Sequence, residues 1–530
     1  MAKRTPNSAS PTATPPAPSG PARSTLSRRS ALLLGIAGLA GLPALSSAVA
    51  TPALLPVRDE VEVLDLRRDF GARGNGVTDD TRAVQRMLDA SARRGAVGFV
   101  PAGTYRCTTG LLVRSGVQLQ LAQGARLLKD WVAPPGMIDA FVRNADFTAK
   151  ADRVKITGPG SIGARDHSCT GVLLGLLGDD VEIRDVTLDT FAGGQAIMYG
   201  GDRGRVSGVT VRNSAVDTGT GGIRVIGGAD FLGTDCHVES GDDCLQFAPI
   251  GNPEAEPALY NQSITGGRFV GCTGASSVSR FMVALLEFTG GDPGTTDMDA
   301  KVADCSFTDC HGSAANRGIV VKNTHSIGAV ERITFTDCTV DMSAAADAST
   351  QEIRVQTDPG DRGAITDVAF IRTDIVNAVN STLRVGGPNI SGLSFDGCTF
   401  TAPSGAAPIT VVIDGTDRPS FTGCTFVGAP GKRLLVAGPV APVTALSVDR
   451  CTFTEIGDAA FGVDVVGAVG GSILGSTFRQ AAGTTNARAI RLSAQASAVR
   501  IDGNDLTGIT HAQPIADRGT GTQLGTNRGL

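Results

Sequence analysis

One short pattern recurs along most of this 530-residue chain and constrains its fold more than any other feature. Each copy has an apolar–polar–apolar segment, then a polar or glycine pair, then Cys or Thr before another apolar residue. Copies begin at Val181, Arg205, Ala229, Arg332, Leu393, Ser420, Leu446, Ser472 and Val499. Where they are most alike, Cys398, Cys424, Cys451 and Ser476 follow one another at spacings of 26, 27 and 25 residues. Such a fixed spacing predicts a solenoid with one coil per repeat.

The residue types within each copy decide which kind of solenoid this is. The segments alternate with period two and are rich in Val, Ile, Thr and Phe, which predicts strands and not helices. The recurrent leucines and asparagines of leucine-rich repeats are absent. The 69 glycines follow no three-residue period and fit frequent tight turns. We therefore expect an all-β, single-stranded parallel β-helix with three long sheets and about 12–13 coils between Val100 and Leu506.

The eleven cysteines recur mostly at one position of the repeat, where a small buried residue suffices. We assign seven to that position: Cys236, Cys272, Cys305, Cys338, Cys398, Cys424 and Cys451. No Cys–Cys or Cys–His spacing is typical of zinc. One or two disulfides between stacked coils stay open as an alternative to free thiols.

Residues 1–50 read as a targeting segment and not as part of the fold. Residues 5–22 are rich in Pro, Ser, Thr and Ala, and Arg28-Arg29 then precedes an apolar run that ends near Leu45. The pattern is typical of a twin-arginine signal, so we expect a secreted, periplasmic or cell-surface protein. An ordinary secretory signal or a retained membrane anchor is the alternative. Residues 51–530 would then form one β-helix domain.

Charge limits the partners of that domain. The whole chain has a formal net charge of −5, and residues 1–50 hold five basic and no acidic residues. Removing these five leaves 42 basic against 52 acidic residues. This balance argues against nucleic acid as a partner but allows a local basic cleft. No segment after residue 50 is apolar enough over sufficient length to cross a membrane, and the oligomeric state stays open.

One segment near the start predicts a helix that caps the solenoid. Thr78-Asp79-Asp80 offers side chains for an N-cap, and Val84, Met87 and Leu88 fall on one helical face. We expect a helix over about residues 79–92 that covers the exposed edge of the first coil.

The stretch around this helix resembles a known superfamily. DFGARGNGVTDDTRAVQRMLDA from Asp69, VPAGTYRC from Val100 and LQLAQGARLLKD from Leu119 are similar to the N-terminal part of polygalacturonases, rhamnogalacturonases and related pectate-lyase-superfamily proteins. The resemblance implies a right-handed parallel β-helix with the helix as its lid. It implies little about the reaction, because these residues build the lid and the first coils.

Weaker resemblance to polygalacturonases (glycoside hydrolase family 28) continues to about Val340. GPGSIGA from Gly158, ESGDDCLQF from Glu239 and NRGIVVKN from Asn316 are similar to their cleft, catalytic and substrate-binding coils. The chain departs from that pattern at three positions. Gly221 stands where a third aspartate is expected, Val320 where an arginine is expected, and the coil expected to carry a histidine has none, with Arg280 its nearest polar residue.

The resemblance implies a glycoside hydrolase acting on pectin-like or other acidic polysaccharide. Hydrolysis needs one carboxylic acid and one carboxylate, which Asp242 and Asp243 would supply if the chain turns both to one surface. Asp217, Glu239 or Glu287 would complete the set, and Lys322 matches the family's substrate-binding lysine. We list Asp242, Asp243, Lys322 and His237 as catalytic candidates, with Arg224, Arg280 and Asp217 as substrate-binding candidates.

Two other functions stay open. A polysaccharide lyase would remove the C5 proton of a uronic acid, with Arg224, Arg280 and Lys322 neutralising the carboxylate and calcium bound at the Asp pair. No cofactor is expected for a hydrolase. A β-helix that only binds glycan would also show the gaps at Gly221 and Val320. The alternative for Gly241-Asp242-Asp243 is a capped turn between strands. For Arg224, Arg280 and Lys322 taken singly, a solvated surface charge is an equally simple interpretation.

Overall fold

The computed structural model describes residues 61–134, 139–144, 148–254, 257–290, 292–344, 353–378, 380–403 and 407–530. The predicted targeting segment, residues 1–50, lies outside this part of the chain and stays a prediction. The segment Glu60–Leu530 forms one compact unit.

The chain winds through three parallel sheets, named A, B and C, in every coil. Sheet B has sixteen strands. They are Asn75–Asp79, Gly103–Cys107, Ala125–Lys129, Ser161–Ala164, Thr187–Phe191, Thr210–Ser214, His237–Ser240, Thr273–Ser276, His311–Ala314, Thr339–Asp341, Asp374–Val376, Thr399–Thr401, Thr425–Val427, Thr452–Ile456, Thr477–Gln480 and Asp505–Gly508.

Sheet C follows sheet B in each coil and carries the residues of the candidate site. Its strands are Leu111–Val113, Ala140–Asn144, Val172–Leu177, Gln195–Gly200, Gly221–Ala229, Leu245–Phe247, Arg280–Glu287, Arg317–Thr324, Ile353–Gln356, Leu383–Gly386, Ile409–Ile413, Arg433–Ala437, Phe461–Val465, Arg488–Leu492 and Ile515–Asp517.

Sheet A closes the coil. Its main strands are Val63–Asp65, Val97–Val100, Gln118–Leu121, Lys155–Thr157, Glu182–Arg184, Arg205–Ser207, Leu232–Thr234, Arg268–Val270, Ser306–Thr308, Thr334–Thr336, Ala369–Ile371, Ser394–Asp396, Ser420–Thr422, Val443–Asp449, Ala468–Leu474, Arg500–Asp502 and Gln523–Leu524. A shorter ladder runs beside them: Ile264–Thr265, Lys301–Ala303, Ala329–Glu331, Ala364–Thr366, Ile390–Ser391 and Thr416–Asp417.

Strands of successive coils pair in parallel, which confirms the predicted right-handed parallel β-helix. Fifteen of the sixteen strands of sheet B begin between Val100 and Leu506, so the 12–13 coils expected over that range were too few. Coil length varies: Thr187 pairs with Thr210, and Thr273 with His311. Equivalent inward side chains stack as predicted, and the rings of Phe307, Phe335 and Phe370 lie about 5 Å apart and nearly parallel.

The corner between sheets A and B explains the polar pair and the cysteine of the repeat. The residue before the cysteine adopts the left-handed conformation, as at Asp337 (φ 54°) and Gly423 (φ 60°), which Asp and Gly tolerate best. Cys338 then donates its thiol proton towards the carbonyls of Thr336 (3.4 Å) and Phe307 (3.5 Å). The position therefore favours a small donor, which explains why Thr, Ser and Asn replace Cys there.

The assignment of Cys305 to this corner is wrong. Phe307 pairs with Phe335, which places Cys310, and not Cys305, beside Cys338. All eleven cysteines are buried and free in this structure.

The lid helix spans Thr81–Arg94, close to the predicted 79–92, and buries Val84, Met87 and Leu88. Its N-cap residue Asp80 makes no capping bond to the helix; its carboxylate instead accepts the N–H groups of residues 73 and 74. Gln85 binds both the N–H and the C=O of Leu112. The lid thus satisfies strand-edge groups of the first coil. No helix in the described part of the chain is long and apolar enough to cross a membrane.

Candidate functional site

Asp242 and Asp243 lie in the turn that joins the sheet B strand His237–Ser240 to the sheet C strand Leu245–Phe247. The Asp242 N–H donates to the Thr220 carbonyl (2.7 Å), and the Asp242 carbonyl accepts the Ser276 hydroxyl (2.8 Å). A Cβ at Gly241 would lie 2.2 Å from the carbonyl oxygen of Ala215. Coils on both sides therefore fix this turn, and only glycine fits at its start.

Asp243 forms a buried ion pair. Its side chain is 3% exposed, and its two oxygens accept Nε and Nη2 of Arg280, both at 2.6 Å. Ser279 donates a further bond at 3.2 Å. Burial alone would lower the pKa of Arg280, but the Asp243 carboxylate outweighs burial and raises it. Both oxygens of Asp243 are thus committed to holding a guanidinium.

Asp242 has the opposite environment. It is half-buried. Burial and then the neighbouring Asp243 carboxylate raise its pKa to about 6, while Ser279 and Arg280 partly oppose the rise. A carboxyl group with such a pKa exchanges its proton near neutral pH, as a general acid or base requires.

Arg224 and two glutamines also lie on sheet C. Gln195 and Arg224 are on the two coils before that of Asp243, and Gln246 is on the strand that directly follows Asp243. Arg224 donates to the carbonyls of Ala248 (2.8 Å) and Pro249 (2.9 Å), and burial lowers its pKa. Gln246 pairs in register with Arg224 and donates to the side-chain oxygen of Gln195 at 3.0 Å. Sequence reasoning missed both glutamines, although Gln246 follows Asp243 by only three residues.

Lys322 lies two coils after Asp243 on sheet C, in register with Leu285. Its ammonium group donates to Glu287 at 2.5 Å, and the two side chains are 21% and 32% exposed. The predicted lysine therefore reaches this surface, but a carboxylate neutralises it.

Asp217 and His237 have other roles. Asp217 is exposed and accepts the Thr220 hydroxyl at 2.8 Å, so it orders the loop against which the turn at Gly241 packs. His237 lies on sheet B, is exposed, and bonds to Thr273 (2.9 Å) and weakly to Glu239 (3.4 Å). The structure does not bring His237 to the Asp243–Arg280 pair on sheet C.

Arginines continue along sheet C past Arg280, and we call Arg280, Arg317, Arg354 and Arg384 the arginine track. Arg317 pairs in register with Arg280, and Arg384 with Arg354. Sequence reasoning took Val320 as a lost arginine; Val320 is buried and in register with Arg354 of the next coil. The recurring Ile-Arg-Val and Leu-Arg-Val strands were the overlooked signal.

Burial and the guanidinium groups on adjacent coils of the track lower the pKa of Arg317 and Arg354. Burial and then the neighbouring Arg280 lower the pKa of Arg317, and its Nε is buried without a hydrogen-bond partner. Burial, then Arg384 and Arg317, lower the pKa of Arg354 to about 10. Like charges on adjacent coils thus destabilise one another, and a bound anion would relieve this repulsion.

The Asp pair does not form the calcium site that the sequence allowed. Calcium requires several carboxylate or carbonyl oxygens around one point. Arg280 occupies both oxygens of Asp243, which leaves Asp242 as the free carboxyl group of the pair. Across the described residues, no three His, Cys, Asp or Glu side chains are grouped so as to hold a metal ion.

Comparisons with known proteins find short regions of similarity. The chain is 31% identical over 170 residues to mannuronan C5-epimerase AlgE2 of Azotobacter vinelandii, which covers 29% of this chain and 17% of the epimerase. It is 30% identical over 146 residues to iota-carrageenase of Alteromonas macleodii, covering 27% and 26%. The matched regions thus span about a quarter or less of these relatives.

The family 28 exopolygalacturonase of Yersinia enterocolitica superposes with a TM-score of 0.46 at 16% identity, over 75% of this chain and 76% of the enzyme. Residues 67–126 match the family described as rhamnogalacturonase A/epimerase, pectate lyase-like. The region that carries the strongest resemblance in the sequence, the lid helix and first coils, is therefore confirmed as pectate lyase-like.

Proposed function

We propose that this protein acts on an acidic polysaccharide that lies along sheet C. The observation that carries the proposal is the arginine track, in which the charges of Arg317 and Arg354 repel their neighbours. Guanidinium groups bind carboxylates and sulfates in a planar, two-point manner. A chain of acidic sugars would place such anions along successive coils. The names of two relatives, a mannuronan C5-epimerase and an iota-carrageenase, fit this substrate class.

Removal of the C5 proton of a uronic acid is the chemistry that the site supports best. Asp242, with its pKa of about 6, is the proton acceptor. Arg280, which Asp243 holds in place through Nε and Nη2, donates from its remaining nitrogen to the sugar carboxylate. Loss of the C5 proton with cleavage of the C4–O bond leaves a C4=C5 double bond, as in a lyase. Return of the proton to the other face of C5 gives an epimerase.

Hydrolysis is the second candidate. It requires a second free carboxylate beside Asp242. Asp243 is bound to Arg280, and Glu287 is bound to Lys322 at 2.5 Å. The polygalacturonase-like turn favours hydrolysis, but substrate would have to displace one of these two ion pairs.

Product analysis tests the proposal. Purified protein is incubated with alginate, polygalacturonate and iota-carrageenan, and we measure reducing ends, ultraviolet absorbance of the double bond, and deuterium uptake at C5 from heavy water. On the two uronate polymers, elimination gives reducing ends and absorbance but no deuterium at C5, because C5 of the unsaturated product carries no hydrogen. Epimerisation gives deuterium alone, and hydrolysis gives reducing ends alone. The last result would overturn proton abstraction, and no signal on any polymer would overturn an enzymatic function.

Two variants locate the chemistry. Asp242→Asn should reduce turnover about 10²–10⁴-fold, since general acid–base groups contribute on this scale. Asp309→Asn is the matched control, because Asp309 is an exposed turn aspartate with a left-handed φ of 53° that asparagine also tolerates. Equal activity of both variants would remove Asp242 from the mechanism.

A further inference from the structure

A basic cavity opens on sheet C near the C-terminal end of the β-helix. Its volume is about 540 Å³, and its lining includes Phe461, Asn486, Arg488, Arg491, Ser493 and Arg518. We call it the distal cavity. Three arginines and no carboxylate are among its lining residues in the described chain. This is an unusual local charge in a protein of net charge −5.

A buried aspartate holds one arginine of the distal cavity in place. Asp464 is fully buried, and its carboxylate accepts Nε (2.6 Å) and Nη2 (2.5 Å) of Arg491 and Nη1 of Arg433 (3.1 Å). One negative charge thus holds two guanidinium groups. The Arg491 guanidinium carbon lies 4.5 Å from the centre of the Phe461 ring, so a planar cation and an aromatic ring are fixed together.

The remaining arginines have no acidic partner in the cavity. Arg488 donates to Nε2 of His511 at 3.1 Å, which requires that nitrogen of the ring to be unprotonated. Arg518 is exposed at the rim, and its backbone N–H is bound to Leu492. Arg488 and Arg518 therefore offer guanidinium donors to a ligand, while Phe461 offers a half-buried ring. Convergent guanidinium groups beside an aromatic ring suit a sugar that carries an anionic group.

We propose that the distal cavity binds the carboxylate or sulfate group of an acidic sugar, as a second site for the polymer. The anion site stands on its own geometry; the identity of its occupant as that polymer rests on the proposed function. Arg354, Arg384, Val412, Val436, Asp464 and Arg491 occupy one position on successive strands.

The register sets the length of ligand that reaches both sites. The strands of Arg280 and Arg491 are seven steps apart on sheet C, or roughly 33 Å at the spacing of neighbouring strands. The strands of Val412 and Val436, which carry valine at this position, separate the arginine track from the distal cavity. Only a polymer spans this distance, and engagement of both sites raises its affinity without new contacts because the second binding step is intramolecular.

Calorimetry on an inactive background tests this inference. All variants carry Asp242→Asn, so the ligand survives whatever the reaction is. The test variant adds Arg488→Gln and Arg518→Gln, which leave the Asp464 ion pairs intact. The control adds Arg418→Gln and Arg450→Gln, which remove the same charge from side chains 66% and 69% exposed on the opposite side of the coil. Melting temperatures verify that all variants fold.

We expect two alginate trisaccharides to bind per parent or control chain and one per test-variant chain. Affinity for polymeric alginate should fall at least tenfold in the test variant alone. The same titrations with iota-carrageenan fragments tell whether carboxylate or sulfate is preferred. Unchanged stoichiometry, or equal losses in test and control variants, would overturn the distal site. If the wild-type protein forms no product, but the test variant still binds one trisaccharide fewer than the control variant, only the proposed function is contradicted.

Discussion

The candidate site and the distal cavity use the same pair of residues in two different settings. In each, a buried aspartate binds both donor arms of a sheet C arginine on the next coil: Asp243 with Arg280, and Asp464 with Arg491. The first aspartate is 3% exposed and the second is not exposed at all. Both pairs fix a guanidinium at the surface of the sheet.

The neighbours of each pair differ, and this difference separates chemistry from binding. Beside Asp243 lies Asp242, a carboxyl group whose pKa is raised to about 6. Beside Asp464 lie Arg433 and the ring of Phe461, and no titrating acid borders that cavity among the residues described. Asp243 is thus better understood as the residue that positions Arg280 than as half of a hydrolytic pair.

The largest expected effect is on stability, when either buried aspartate loses its charge. Asp464→Asn leaves Arg433 and Arg491 without their partner and should lower the free energy of unfolding by about 3–5 kcal/mol. Asp243→Asn should cost somewhat less, because Asp243 binds one arginine. Urea denaturation followed by circular dichroism measures both.

The control for this comparison is an exposed pair with the same geometry. Asp337 binds Arg372 through both arms at 2.7 and 2.9 Å, but the two side chains are about half exposed. Asp337→Asn should cost at most about 1 kcal/mol. If all three variants lose equal stability, burial does not distinguish the ion pairs of the two sites from the exposed pair.

These two pairs also show how far the sequence predicts the site. Asp464 and Arg491 are 27 residues apart, which equals one repeat spacing, so the period alone predicts their pairing. Asp243 and Arg280 are 37 residues apart, because that coil contains an inserted segment around the Ile250–Tyr260 bridge. The repeat fixes the fold locally through strand pattern and corner residues. The register across an irregular coil depends on tertiary packing, and sequence spacing does not encode it.

The next effect concerns affinity at the arginine track. Arg317→Gln with Arg354→Gln should weaken binding of polymeric alginate about tenfold, or roughly 1.4 kcal/mol. Stability should change little, because removing these cations also removes repulsion from Arg280 and Arg384. Surface plasmon resonance at several salt concentrations should show a weaker salt dependence than for the parent. A tenfold loss from the Arg418/Arg450 control would show that net charge, and not the track, determines binding.

A smaller effect tests the environment of Asp242 through pH. Its pKa in the folded protein lies above the usual 3.8, so folding disfavours the ionised form. The penalty is absent below pH 3.8, where folded and unfolded chains are both protonated, and it grows as pH rises to about 6. Asp242→Asn removes it.

That variant should therefore match the wild type at pH 3.5 and exceed its stability at pH 7.5. The gain should be on the order of 1 kcal/mol, since partial exposure reduces the effect. Urea midpoints at the two pH values measure it. Equal stability at both pH values, or a loss at pH 7.5, would contradict the burial of this carboxyl group. A variant that is more stable but inactive is expected when a functional carboxyl group lies where folding disfavours its ionised form.

The smallest expected effect is a change in affinity when a cation on sheet C loses the carboxylate that pairs with it. Lys322 is bound to Glu287, whereas Arg317 has a buried nitrogen without a partner. Glu287→Gln should change stability by less than about 1 kcal/mol, because both side chains are partly exposed. It should nevertheless tighten alginate binding about two- to fivefold, since it releases the ammonium group of Lys322 onto sheet C. Glu331→Gln removes the same charge from a carboxylate bound to Arg332 on sheet A, and should leave affinity unchanged. If the two variants tighten binding equally, the polymer responds to overall charge and does not lie along sheet C.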